Sequence, residues 1–368
     1  MDAFERFYAV NSDFRDPYSR DRDRIIHSSS FRRLEYKTQV FLNSVGDFFR
    51  TRLTHSLEVS QIARAIAKEL GLSESLCEAI ALAHDLGHTP FGHVGGDELD
   101  LRLRESGFSS GFEHNYQSFR VVTELEKRYL GFDGLNLTFA TLEGILKHSE
   151  PYHKPFFSKK LDEIFLLDFH PSIEAMIVDY SDEIAYISHD IDDGLKCGYL
   201  KVSQIRENAL IESILHRLQK EGIDEENEIF YSRLVSMLIN DLILNFIQHS
   251  MMSRAFKEKS ENPQCCKYPA SENIGIGFDK QTATEVKKLK KILYDKLYYH
   301  AEVKKKMFFG KQCITKLFEA FLSDIRLLPE CLQKQIKNGK QHHRVVADYI
   351  ASMSDRFAIQ LYRELYVG

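Results

Sequence analysis

Four side chains have the types and the setting to hold a divalent cation together: His55, the adjacent pair His84 and Asp85, and Asp182. Each interrupts an otherwise apolar helical pattern. Such groups at the buried end of a helix are costly unless they are paired or bound to a cation. Two neutral imidazoles and two carboxylates neutralise one divalent ion. Their mixed nitrogen and oxygen donors suit Mn, Mg, Fe, Co, Ni or Zn better than soft copper. Four protein ligands leave a six-coordinate ion open to water and to a substrate oxygen. An ion held this way polarises a phosphoryl oxygen and makes hydroxide available from bound water near neutral pH. One helical histidine, or one His-Asp dipeptide, carries little weight alone. Three helices packed side by side could bring all four to one point, for one divalent metal ion per site, and the motifs around them add the weight.

Three helices must deliver these groups. Leu53, Leu57, Ile62, Ile66 and Leu70 recur at three- to five-residue steps, which predicts an amphipathic helix that carries His55 and stops at Gly71. Ser73 or Ser75 can cap the next helix, and Ser75 with Glu78 fits a capping box. That helix runs through Leu76, Ile80 and Ala83 to His84 and Asp85, where Gly87, Pro90, Gly92, Gly95 and Gly96 break it into a loop. A further helix is expected over Glu113–Tyr129. Another follows Pro171, which suits a first-turn position, and continues to about Lys196 with Asp182 on it.

Two more features share faces with these ligands. Arg52 precedes His55 by three residues and so lies on its face. Tyr186 and Asp190 follow Asp182 by four and eight residues, which sets a metal-ligand candidate, a ring and a carboxylate in series along one face. The first 50 or so residues read as loops and short helices laid on the core. The stretch Glu258–Lys280, with Pro263 and Pro269, is the clearest connection. Alternating β-type runs of useful length are nearly absent, and no internal repeat is visible. The expectation is an all-α protein. Residues 1–200 form an N-terminal segment and a metal-binding helical core, and residues 201–368 form a helical lobe packed on it.

The motifs around these residues resemble those of the HD superfamily. Arg52-Leu-Thr-His55-Ser-Leu-Glu-Val59 is similar to its first histidine motif. Ala83-His84-Asp85-Leu-Gly-His88-Thr-Pro-Phe-Gly-His93 is similar to its central motif, in the longer form of the dGTP triphosphohydrolases. The segments Asp21–Ser29, Phe31–Val40, Phe112–Asn115, Gly134–Thr138, Thr141–His148 and Asp348–Ala358 resemble further signatures of that family. The resemblance implies an HD-domain fold with His55, His84, Asp85 and Asp182 as metal ligands. It implies attack of water on the α-phosphorus of a deoxynucleoside triphosphate, with deoxynucleoside and tripolyphosphate as products. His93 and His114 become the candidates for acid–base work, and His88 for a substrate contact. Arg52 would contact phosphate, with Lys147 and His148 as weaker candidates. Tyr186 and Asp190 would line the sugar pocket, the ring excluding a 2′-hydroxyl and the carboxylate accepting from the 3′-hydroxyl. Gln39 would contact sugar or base. The chain departs from the family at Gly96, where a glutamate usually partners the catalytic histidine. Asp97 or Glu98 would have to replace it, and Asp97 is the candidate taken here.

Composition limits the other readings. The net charge of −5 describes no overall polycation, so nucleic-acid binding would need a local patch. The basic runs Lys287–Lys291 and Lys304–Lys306 read first as solvated helix faces. The six cysteines show no CxxC spacing, which with the absence of a leader-like start suggests reduced thiols and a cytoplasmic protein. Leu234–Ile247 is broken by Asn240, Asp241 and Asn245 and reads as a buried helix, with no membrane as partner. The family resemblance implies a homo-oligomer, deoxynucleoside triphosphates as partners and an activating nucleotide. Single-stranded DNA stays open as a partner. Two alternatives stand beside this reading. One is another HD-type nucleotide phosphodiesterase or 5′-nucleotidase. The other is a catalytically weak nucleotide-sensing or nucleic-acid-binding HD protein, which Gly96 motivates.

Overall fold

The helix that carries His55 runs over Arg52–Glu69. Thr51 starts it: the Thr51 hydroxyl accepts from the Thr54 amide at 3.3 Å, and the Thr54 hydroxyl accepts from the Thr51 amide at 3.0 Å. That reciprocal pair satisfies two of the amides a helix start leaves open. The next helix, Glu74–Ala83, is capped by Ser73, whose hydroxyl accepts from the Leu76 amide. The alternative with Ser75 and Glu78 does not form, because Ser75 lies inside the first turn and its hydroxyl donates to Asp16. Ser172 caps the long helix Ile173–Lys196 by accepting from the Ala175 amide. Pro171 therefore sits one residue before the cap and not in the first turn, while the end at Lys196 falls where the sequence puts it.

The chain is described by a computed structural model over residues 2–11, 13–39, 50–150, 152, 158–261 and 268–368. Val40, Pro263, Cys265 and Cys266 lie outside the described residues. Among the described residues the regular structure is helical, and the only β-type pairings are the isolated bridges Thr38–Thr51 and Phe169–Pro269. Cys77, Cys197, Cys313 and Cys331 are free thiols. The helix expected over Glu113–Tyr129 is shorter. It spans His114–Arg120, widens into a π turn over Val121–Leu125, and ends at Glu126.

The helices Arg52–Glu69, Glu74–Ala83 and Ile173–Lys196 pack on one another through buried Val59, Ile62 and Ile66, Cys77 and Ile80, and Ile177, Ile184 and Ile191. The helix Phe230–Met251 lies against the Ile173–Lys196 helix. It is long and apolar enough to cross a membrane by length and composition. Here its stripe Leu234, Leu238, Leu242 and Phe246 is fully buried in the same core. Each such side chain contributes on the order of 1.5–3 kcal/mol relative to exposure. This core cluster runs from Tyr18 to Val303, so the apolar interior does not divide at residue 200. A separate cluster joins Phe91, Leu99, Leu103 and Phe112 to the C-terminal helices Ala301–Ser323, His342–Ala351 and Asp355–Tyr366.

The N-terminal segment is bound by its charges. The Asp21 carboxylate accepts from the amide and hydroxyl of Thr138, from the Thr141 hydroxyl and from Arg6. Arg24 donates to the carbonyls of Leu135 and Asn136. These family-like residues act in assembly, fixing the first helix, Pro17–Ile26, on the core.

Candidate metal centre

His55, His84 and Asp182 meet where their three helices converge, with ligand-type atoms all within 4.8 Å of one another. His55 Nε2 is 2.8 Å from Asp182 Oδ1, and His84 Nε2 is 3.9 Å from the same oxygen. His84 Nδ1 donates to the Ala81 carbonyl at 2.7 Å, so Nε2 carries the lone pair toward the centre. That Nε2 is buried and has no hydrogen-bond partner among the described residues. Burial, helped by neighbouring His148 and His55, lowers the pKa of His84 despite Asp85 and Asp182, which keeps the ring neutral. An orphaned buried imidazole nitrogen beside two carboxylates is the donor set a divalent ion requires. The residues present therefore fit one. Both His55 and His84 are almost fully buried, whereas the Asp182 side chain is 28% exposed, which gives the centre one open side.

Asp85 borders this cluster. Its Oδ1 lies 3.4 Å from His84 Nε2 and 2.9 Å from His88 Nδ1, while Oδ2 accepts from Arg52 Nη1 at 2.7 Å. Burial alone would raise the Asp85 pKa, but Arg52, His84 and His88 outweigh it and hold the carboxyl well below its usual range. Asp182 is likewise held low, against burial, by contacts with His148 and His55. His148 lies with Nδ1 2.5 Å from Asp179 Oδ1 and Nε2 3.3 Å from Asp182 Oδ2. Its pKa is raised well above the ordinary value: burial opposes the charge, and the two carboxylates more than offset that. His148 thus braces the carboxylate of Asp182 and faces the centre.

After Asp85 the chain turns through Phe91 and Gly92, both at positive φ (63° and 62°), into the helix Gly92–Glu105. A Cβ at Gly92 would stand 3.2 Å from the Gln39 carbonyl, so the left-handed turn and the close approach both favour glycine there. Asp355 holds this turn in place. Its two oxygens accept from the amides of Phe91 and Thr38. Lys37 donates to the carbonyls of His88 at 2.5 Å and Ala351 at 2.8 Å. The C-terminal signature thereby clamps the segments that carry Gln39 and His93.

His88, in contact with Asp85, lines a cavity of about 320 Å³ together with His93, His114, Gly96 and Asp97 among others. The ring centroids of His88 and His114 are 4.3 Å apart, and those of His93 and His114 are 6.0 Å apart. Burial, reinforced by Arg52, lowers His88 and His93, and burial with His93 nearby takes His114 down to about 3. All three rings are neutral at pH 7, able to accept a proton but not charged beforehand. Asp97 shares the cavity, and burial raises its pKa against the pull of His93. No hydrogen bond joins Asp97 to His93 among the described residues. Glu98 is turned away: it accepts from Thr315 and from Arg102, each at 2.6 Å, and pairs with Lys311. Of the two acids considered as replacements at Gly96, only Asp97 faces His93.

His93 also borders a second, smaller cavity with Gln39, Tyr186, Tyr298 and Lys306. Tyr298 was not legible as a site residue. It lies more than 100 residues from Tyr186 and reaches the site from the far half of the chain, its hydroxyl 2.8 Å from that of Tyr186. It also donates to Asp190 Oδ2 at 2.5 Å. Asp190 is fully buried beneath Tyr298 and does not line the cavity itself. Lys147 requires a correction. Its ammonium is buried and donates to Glu143 Oε1 and to the carbonyls of Leu166 and Phe169, so it serves a helix end and cannot reach a phosphate. His189 was also missed, although its position seven residues after Asp182 puts it on the same helix face.

The helical layout and the His/Asp centre define an HD-type protein, and the HD domain family matches residues 52–187. A phosphohydrolase-associated domain matches residues 276–364. The chain is 58% identical over 368 residues to a deoxyguanosinetriphosphate triphosphohydrolase-like protein of Wolinella succinogenes, covering 100% of both. It is 46% identical to a protein of the same description from Geobacter sulfurreducens, over 96% of this chain and 89% of that one. The likeness to one from Bordetella pertussis is 44% over 96% and 90%. The chain belongs to the HD-domain, dGTP triphosphohydrolase-like family.

Proposed function

We propose that this protein is a metal-dependent deoxynucleoside triphosphate triphosphohydrolase, converting a dNTP and water into a deoxynucleoside and tripolyphosphate. The observation that carries the reading is the convergence of His55, His84 and Asp182 beside Asp85, with the His93 cavity adjoining through His88. In this reading His55, His84, Asp85 and Asp182 hold one divalent ion. The ion would supply charge neutralisation at a phosphoryl oxygen and a water acidic enough to attack. Neutral His93, backed by Asp97, takes or returns the proton in the cleft, and His114 shares that work. His88 orients Asp85 and meets substrate. Arg52 has Nε and Nη2 buried and without partners among the described residues, so it can receive phosphate oxygens while Nη1 stays on Asp85. Gln39 and Tyr186, with Tyr298, take the sugar and base, and Asp190 acts through Tyr298.

The direct test incubates the purified protein with Mn²⁺ or Mg²⁺ and each dNTP, alone and mixed, and resolves the phosphate products. Tripolyphosphate with free deoxynucleoside supports the reaction; monophosphate with pyrophosphate assigns the chain to another HD-type hydrolase. The mixed panel also reads out an activating nucleotide, and light scattering reads out a homo-oligomer, both part of this proposal. A second reading has one specific observation in its favour. No carboxylate bonds to His93 among the described residues, as the glycine at 96 leaves room but no acid. A nucleotide-binding sensor that keeps the metal and turns over little would show tight dNTP binding without product.

A further inference from the structure

The imidazole of His189 is buried on the Ile173–Lys196 helix and lines neither cavity. Its Nε2 lies 3.1 Å from Nδ1 of His55, and its Nδ1 lies 3.0 Å from Oδ1 of Asp190. The rings of His55 and His189 stand edge to face at 88°, with centroids 5.1 Å apart. Asp190 in turn accepts from Tyr298, whose ring walls the smaller cavity. Four groups thus stand in series from the metal centre to the cavity wall: His55, His189, Asp190 and Tyr298.

We propose that His189 is a positioning residue that holds His55 for coordination through Nε2 and couples cation affinity at the centre to occupancy of the Tyr186–Tyr298 cavity. This rests on the reading of the His/Asp centre as a cation site. The argument follows the hydrogens. For His55 Nε2 to offer a lone pair, His55 Nδ1 must carry its hydrogen and needs an acceptor. Nε2 of His189 is that acceptor, which places the His189 hydrogen on Nδ1, facing the Asp190 carboxylate. Oδ1 of Asp190 is out of line for a full hydrogen bond and has no other partner among the described residues, so the hold is electrostatic. The opposite tautomer of His189 would set a lone pair against the carboxylate and a hydrogen against His55 Nδ1. Both contacts would repel in a buried, low-dielectric setting. Asp190 therefore fixes the tautomers of two rings. A ligand hydroxyl that competes for the Tyr298 hydrogen bond changes the charge on Asp190 that His189 feels, and with it the donor strength of His55. Such coupling is reciprocal: the cation must alter affinity for the sugar by the same factor.

The test is Mn²⁺ binding, read by the loss of the free-ion EPR signal, on the full chain without nucleotide and again with saturating 2′-deoxyguanosine. Wild type is compared with His189→Gln and His189→Met. The glutamine oxygen can take the place of Nε2 and accept from His55, but it offers no N–H at the Nδ1 position. Wild type should bind Mn²⁺ with an affinity that deoxyguanosine shifts. H189Q should keep most of the affinity and lose the shift. H189M should bind about 10–100-fold more weakly, the usual effect of removing a ligand's orienting partner. If H189M fails to fold, the loss of the shift in H189Q still decides. Wild-type affinity and an undiminished shift in H189Q overturn the coupling, as does a wild-type affinity that deoxyguanosine leaves unmoved. Wild-type protein that binds no Mn²⁺ removes the cation-site reading itself, a distinct failure that takes this inference with it.

Discussion

Arg52 and Asp85 form a buried ion pair that uses only part of the guanidinium: Nη1 donates to Asp85 Oδ2 at 2.7 Å, while Nε and Nη2 meet no partner among the described residues. Arg52 is 1% exposed, and its Nη2 lies 3.8 Å from where a Cβ on Gly92 would stand. One side of the fork holds a carboxylate, and the other faces the turn into the His93 helix. Arg52→Met should cost about 3–5 kcal/mol in denaturant melts, since it strands a buried charge. Arg52→Lys should keep much of that stability, yet raise KM for nucleotide because a point charge cannot serve both sides. Equal stability of R52M and wild type would remove the structural half of the claim.

The same pair sets an acid limit. Asp85 and Asp182 both titrate well below the ordinary carboxylate range in the folded chain. Their stabilising contribution is fully present above the unfolded value of about 4 and is lost as pH falls through their lower folded values. Metal-free wild type should lose stability steeply below about pH 4. R52M should begin that loss at higher pH, because the cation that holds Asp85 ionised is gone. Urea midpoints from pH 3 to 7 decide it.

Lys37 predicts a slope of the same sign in a separate, alkaline window. Burial, with Arg33 and Arg52 nearby, takes its ammonium down to about 7. Between that value and the unfolded value of about 10.4, the unfolded chain binds a proton that the folded chain does not. Stability therefore rises with pH across that window, by up to about 1.4 kcal/mol per pH unit from this group. Lys37→Met should be less stable at pH 10, having left the carbonyls of His88 and Ala351 unpaired. The deficit relative to wild type should shrink toward pH 7. Parallel stability curves for the two proteins would exclude the assignment.

Gly96 and its two acidic neighbours separate in the same way. A Cβ on Gly96 would meet nothing closer than Thr89 Oγ1 at 3.7 Å, and its φ is not positive. Gly96→Ala inside a helix should gain about 0.5–1 kcal/mol. Asp97→Asn should lower kcat with little change in KM, since Asp97 shares the cavity with His93. Glu98→Gln should leave kcat near wild type and reduce stability, because Glu98 serves Thr315, Arg102 and Lys311. His93→Ala should lose about 10²–10⁴-fold in kcat. A kcat that falls in E98Q and not in D97N would reverse the assignment.

Much of this was readable in the chain because helical period and ligand spacing are local. The Asp182–Tyr186 series follows from four-residue steps, and the His55 helix from its apolar stripe. What was not readable depends on chain segments meeting from a distance. Lys147 looks like a phosphate ligand in a string of letters, but its partners Leu166 and Phe169 lie far along the chain and absorb its hydrogens. Glu98 and Asp97 are neighbours in sequence, and only the packing of the Ala301–Ser323 helix tells them apart. How far the lobe after residue 200 shares the core was not readable either: Leu234 and Leu238 pack on a helix from the first half and belong to the same apolar cluster. Tyr298 carried no signal, since its role depends on its contact with Asp190.

That contact yields the last prediction. Tyr298 donates to Asp190 Oδ2 at 2.5 Å, and Asp190 is 0% exposed. The rings of Tyr298 and Tyr186 lie nearly parallel at 22°, and both wall the cavity beside Gln39 and His93. Tyr298→Phe removes the donor and keeps the wall. It should cost about 1–3 kcal/mol for the unsatisfied carboxylate, while the preference for deoxy- over ribonucleotides survives. Tyr298→Ala removes both, and should lower the ratio of kcat/KM for dGTP over GTP, because the space beside the sugar opens. The two variants distinguish steric exclusion from hydrogen bonding. If Y298F loses the sugar preference as fully as Y298A, exclusion by the ring is wrong, and the Asp190 hydrogen bond carries the discrimination.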